Sequence, residues 1–173
     1  RLGFNRIGQL ETPDGLGRKG IRWVSMIFEL PDAGVVRSID MIESVINRDR
    51  KTATYKLALF RALAEISSQE YNSVKRYPDG RVGVPLSRIA EKWLLYYWPL
   101  FANDTFIPQI NGEAKECSQP VAFREPVENL IRHYGKGGIG SFLSDMYRGA
   151  VRPETSGLYT KALKKIEHAI RYG

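Results

Sequence analysis

Between Ile89 and Trp98 the large residues fall at helical spacing, with Ile89, Ala90, Trp93, Leu94, Tyr97 and Trp98 on one stripe. A helix carrying that many indole and phenol rings needs other elements to cover it. The segment therefore predicts a strongly aromatic helix whose rings belong to the core. Ser87 precedes it as a cap, and Pro99 predicts its end, because proline cannot donate to the helical ladder. The other use of Trp93, Tyr96, Tyr97 and Trp98 is stacking on nucleic-acid bases.

Further segments repeat the helical period. Ser38 can cap a helix through Ile39, Ile42, Val45 and Ile46, and Thr52 one through Tyr55, Leu59, Ala62, Leu63 and Ile66. Leu57, Ala58 and Phe60 widen the second face enough to predict a central, mostly buried helix. Helices are also expected at Pro126–His133, with Gly135 as C-terminal cap, at Ser141–Arg148, and at Ser156–Tyr172. Trp23, Val24, Ile27 and Phe28 favour a short strand within Ile21–Leu30, which closes at Pro31-Asp32. Pro78-Asp79-Gly80, flanked by Val74, Tyr77, Val82 and Val84, reads as a hairpin turn. Asn103–Gln119 is mixed and reads as irregular. Together these predict a mainly α fold, with a short N-terminal strand and a small β-hairpin. Glycine-rich residues 1–20 read as an arm or loop, and 21–173 as a single helical domain.

Bulk properties remove several function classes. No apolar run approaches the roughly 18 residues of a membrane helix, and the polar, glycine-rich start does not read as a secretion signal. The single cysteine, Cys117, excludes an internal disulfide framework and suits a reducing, cytoplasmic setting. Cys117, His133 and His168 stand at no zinc-site spacing, so no metal or cofactor is expected in this chain. Lys and Arg total 26 against 19 Asp and Glu, a net charge of +7, which favours phosphate backbones or other anionic surfaces. The start at Arg1 and the stop at Gly173 lead us to expect a fragment of a longer chain.

The basic residues gather in clusters. Arg48, Arg50 and Lys51 lie at a helix–helix junction, Lys75, Arg76 and Arg81 flank the hairpin, and Lys161, Lys164, Lys165 and Arg171 line the polar side of the last helix. Flexible or forked cations of this kind supply sequence-independent affinity for phosphates, although the polar side of any amphipathic helix carries charge. A helix, a basic hairpin and a second helix also form the outline of a wing-like reader. The run Gly135-Lys136-Gly137-Gly138-Ile139-Gly140-Ser141 opens a helix, where backbone amides can hold a phosphate, but it lacks P-loop spacing and reads as a connector. Asp104, Glu113 and Lys115 imitate the acid–acid–lysine set of metal-dependent nucleases, in a stretch without strand character. His133 falls near a helix C-terminus, where it suits the dipole. His168 has no visible nucleophile partner.

Two segments carry a likeness: Thr54-Tyr55-Lys56-Leu57-Ala58-Leu59-Phe60-Arg61-Ala62-Leu63, and Val84-Pro85-Leu86-Ser87-Arg88-Ile89-Ala90-Glu91-Lys92-Trp93 continuing to Tyr96-Tyr97-Trp98-Pro99-Leu100. With the later Gly-Gly and the closing helix, from about Ile39 to Gly173, they resemble the N-terminal helical region of prokaryotic HNH-type endonucleases. The resemblance implies an accessory domain that engages DNA and positions a nuclease module of the same protein, in restriction or phage defence. The catalytic histidines and divalent metal would belong to that module, and no HNH residue maps onto this chain. The contrasting expectations are a protein-interaction domain docking through its aromatic helix, and a self-contained nuclease using Asp104, Glu113 and Lys115.

Overall fold

The computed structural model describes residues 5–13, 22–29, 43, 53–79, 81–114, 120–135 and 137–172. Two antiparallel strands, β1 (Asn5–Pro13) and β2 (Arg22–Glu29), come first. They are followed by helix α1 (Tyr55–Gln69), a short 3-10 turn at Tyr71–Ser73, and the hairpin β3 (Lys75–Arg76) and β4 (Val82–Gly83). Helices α2 (Leu86–Phe101), α3 (Arg124–Tyr134), α4 (Ile139–Tyr147) and α5 (Pro153–Tyr172) complete the order. The chain is mainly helical with small antiparallel hairpins, as its periodicity requires. The helix expected from Ser38 to Ile46 lies outside the described residues except for Glu43, which is helical. The Thr52 cap lies outside them too.

Contacts group the chain into two units, Arg1–Thr52 with Leu63–Leu86, and Ala53–Ala62 with Ser87–Gly173. In the first, β1 and β2 pair with a register shift between Arg6 and Gly8, and β2 runs beside β4. The arm or loop expected over residues 1–20 thus contains a strand. Its glycines and polar residues carry little strand propensity, and pairing with the aromatic and β-branched β2 supplies the hydrogen bonds that local composition does not reveal.

In the second unit α2 is the hub. Trp93, Tyr97 and Phe101 recur every four residues, and their rings meet Phe123 at 5.8, 4.9 and 6.0 Å. Tyr55 of α1 stacks on Trp93 at 5.6 Å. Trp98, one residue round the helix from Tyr97, stacks on Phe142 of α4 at 5.1 Å, and Phe142 in turn meets Tyr134 and Tyr159. Trp93, Tyr97 and Trp98 are buried, so they are core rather than an exposed stacking or docking surface. Helix α2 ends at Phe101, two residues beyond Pro99. Proline there withdraws only the donor to Leu95, and Ala102 still donates to the Trp98 carbonyl at 2.8 Å.

Helix α3 ends as read, with Gly135 at φ 65° donating to the Ile131 carbonyl, a conformation that favours glycine. Helix α4 begins two residues before the expected Ser141, and α5 opens at Pro153, a position where proline's missing N–H has no helical partner to lose. Ala162, Ile166 and Ala169 bury one side of α5, which packs along α3.

Candidate nucleic-acid interface

The sequence-predicted cations divide between the two units. Arg48, Arg50 and Lys51 lie outside the described residues. In the first unit Lys75 and Arg76 form β3 and are exposed, while Arg81 faces back into the turn. Its amide and Nε reach the two Asp79 carboxylate oxygens at 3.1 and 2.6 Å. The Arg81 amide and guanidinium hold the Asp79 carboxyl below its ordinary value against a small opposing effect of burial. Lys75 and Arg81 both approach the Tyr77 ring, at 5.0 and 5.4 Å. The hairpin therefore presents Lys75 and Arg76 outward, with Arg81 partly neutralised.

In the second unit α5 orders a longer row. Lys161, Lys164, Lys165, His168 and Tyr172 are all exposed. At about 100° per residue they fall within roughly 100° of arc, away from the buried Ala162–Ile166–Ala169 side. The His168 and Tyr172 rings lie 4.7 Å apart. Glu154 stands in the same line near the helix start, where the dipole favours a carboxylate. Glu167 lies off the row and half-buried; burial raises its carboxyl, opposed by Arg171 and Lys164. The helix thus carries one face of closely spaced cations ending in an aromatic pair.

Of the nuclease-like set, Asp104 and Glu113 are among the described residues. Asp104 is exposed and Lys115 lies outside the described residues. Glu113 is 5% exposed and accepts four hydrogen bonds: from Arg124 Nε at 2.8 Å and Val121 N at 3.0 Å on Oε1, and from Arg124 Nη2 at 2.9 Å and Gln109 N at 2.6 Å on Oε2. Four donors fill the lone-pair capacity of a carboxylate, leaving none for a metal ion. Burial alone would raise the Glu113 carboxyl, but Arg124 and the two amides hold it below its ordinary value.

Arg124 is equally engaged. Its guanidinium lies 4.2 Å from the Phe101 ring centroid and 4.3 Å from that of Phe106, and Nη2 also donates to the Ile107 carbonyl at 2.7 Å. An arginine on the first turn of a helix opposes the helix dipole, and Glu113 supplies the compensating charge. The stretch Ile107–Glu113 is also tied to Thr54, the residue before α1. Thr54 N donates to the Gln109 carbonyl at 2.9 Å, and Thr54 Oγ1 donates to Gln109 Oε1 at 3.0 Å. With that hydroxyl proton committed, Tyr97 Oη donates to Thr54 Oγ1, 2.7 Å away.

The remaining candidates stay dispersed. His133 is exposed in the last turn of α3, and Cys117 and Lys136 lie outside the described residues. Among the described residues no group of three or more His, Cys, Asp or Glu gathers as a metal site, and no helix is long and apolar enough to cross a membrane. Sequence reasoning missed the exposed Tyr147, whose signal was its place at the end of a periodic segment beside Arg148. It missed the Glu113–Arg124 pair altogether, because one partner sits in a stretch without periodicity.

Residues 36–173 match the family described as Domain of unknown function (DUF8808). No curated protein and no solved structure matches the chain.

Proposed function

The chain belongs to that family, whose description assigns no activity, and we propose from its own surface that it binds the phosphate backbone of DNA as an accessory domain. The observation that carries this reading is the row of Lys161, Lys164 and Lys165 on one face of α5. The exposed Lys75 and Arg76 of the hairpin and the net charge of +7 support it. Such cations displace the counterions condensed on DNA, so binding falls steeply with salt and is indifferent to sequence. The likeness of Thr54–Leu63 and Val84–Leu100 to the helical region of HNH-type endonucleases supplies the proposed setting, in which the domain holds DNA for a nuclease module. The competing protein-docking reading has less support, since Trp93, Tyr97 and Trp98 of α2 are buried.

The test is fluorescence anisotropy on a short duplex across a salt series. Replacing Lys161, Lys164 and Lys165 together by alanine is expected to weaken binding equally for unrelated sequences and to flatten the log–log salt slope by about 3 units, roughly one per cation. An unchanged affinity and slope would sink the assignment.

A further inference from the structure

We propose that the α5 face and the end of α4 are built for unpaired DNA, with lysines on the phosphates and tyrosines on the bases. This rests on the phosphate-binding reading above and specifies its substrate. Tyr147, the last residue of α4, is 95% exposed, and among the described residues its ring meets no other. The helix end beneath it is nevertheless firmly held: Gly149, at φ 67°, donates to Met146 at 3.1 Å, and Ala150 donates to Asp145 at 2.8 Å. Arg148 and Arg152, both exposed, follow Tyr147 in sequence. At the far end of α5, Tyr172 is 70% exposed beside His168. Phe142 and Tyr159, in contact at 5.6 Å, set α4 against α5.

An exposed phenol ring on a rigid helix end contributes nothing to the core. With the backbone beneath it held, stacking on a flat partner costs it only the freedom of its two side-chain torsions. The face of an unpaired base is such a partner, whereas in a duplex the neighbouring bases already cover it. From Lys161 to Tyr172 the helix rises about 16 Å, so the cations and the terminal aromatic pair can follow a strand over several nucleotides. Lysines alone serve duplex and single strand alike; the tyrosines separate the two.

The measurement is binding of the whole chain to a 20-nucleotide oligo-dT, a 20-base-pair duplex and an oligo-rU, at one salt concentration (roughly the span of one or two single-strand binding sites). Tighter binding of oligo-dT than of duplex is expected. Tyr147→Ala and Tyr172→Ala are each expected to weaken oligo-dT binding about tenfold and to leave duplex binding unchanged. Tyr147→Phe and Tyr172→Phe, which keep the stacking face, should retain wild-type affinity. Both sites are exposed, and circular dichroism verifies that the fold persists. Duplex binding as tight as oligo-dT, or alanine variants indistinguishable from wild type, would overturn the proposal while leaving the phosphate-binding reading intact. Tighter binding to oligo-rU would overturn the choice of DNA. Binding to none of the three would bring down both readings.

Discussion

Removing the Glu113 carboxylate strands a buried guanidinium, and the structure sets the size of the effect. Glu113→Ala deletes the acceptor of Arg124 Nε and one of the two acceptors of Nη2, leaving the Ile107 carbonyl on Nη2 at 2.7 Å and a long contact from Nη1 to Glu128 at 3.4 Å. It also orphans the amides of Gln109 and Val121. Breaking one side of a buried pair costs about 3–5 kcal/mol, and the lost amide acceptors keep the value at the upper end. At 2–4 °C per kcal/mol, the melting temperature should fall by about 6–20 °C. Urea denaturation followed by circular dichroism measures the change directly. The double variant Glu113→Ala/Arg124→Met removes the stranded charge and places an apolar side chain between Phe101 and Phe106, so it should recover most of the loss. A single variant within about 1 kcal/mol of wild type, or a double variant as unstable as the sum of both singles, would refute the reasoning. The pH dependence adds a signed check. The folded Glu113 carboxyl lies below its unfolded value of roughly 4.3, so its contribution is present above that value and is lost as pH falls through the folded one. Glu113→Ala should lack that acid-sensitive component.

Two other outcomes follow from the core and from a cap. Burial pushes the Tyr55 and Tyr159 hydroxyls up to about 12. Stability from keeping them neutral is complete below the unfolded value of roughly 10 and is lost as pH rises toward 12, so phenolate absorbance should show them ionising late and together with unfolding. Gly135→Ala forces a side chain into φ 65°, where the nearest obstacle, the Arg132 carbonyl at 3.6 Å, is an ordinary contact. Its cost is therefore conformational, about 1–2 kcal/mol by urea denaturation.

Legibility in the sequence followed the physical range of each signal. The period from Ile89 to Trp98 located α2 and its burial, because helix geometry places residues four apart on one side regardless of what covers them. Pro78-Asp79-Gly80 located the β3–β4 hairpin, and Gly135 the end of α3, since both act through local dihedral preference. Strand β1 read as an arm because its own residues carry little strand propensity, and only its pairing with β2 marks it as a strand. Pro99 marked the end of α2 to within two residues, because it sits in the last turn, where the missing donor removes a single hydrogen bond. The α5 lysines were visible by spacing, but their alignment with Tyr172 rested on knowing which side of the helix is buried. Glu113 looked catalytic on a sequence pattern; that its partner would be Arg124, eleven residues on, is tertiary information.

The Glu113–Arg124 pair also bears on how this family can change with time. Either substitution alone leaves a buried charge or a set of empty donors, so a lineage losing one partner is pushed either to restore it or to replace the other. Positions 113 and 124 are therefore expected to vary as a unit among relatives, alternating between an ion pair and two apolar residues. The exposed lysines of α5 carry no such linkage and are free to be exchanged one at a time.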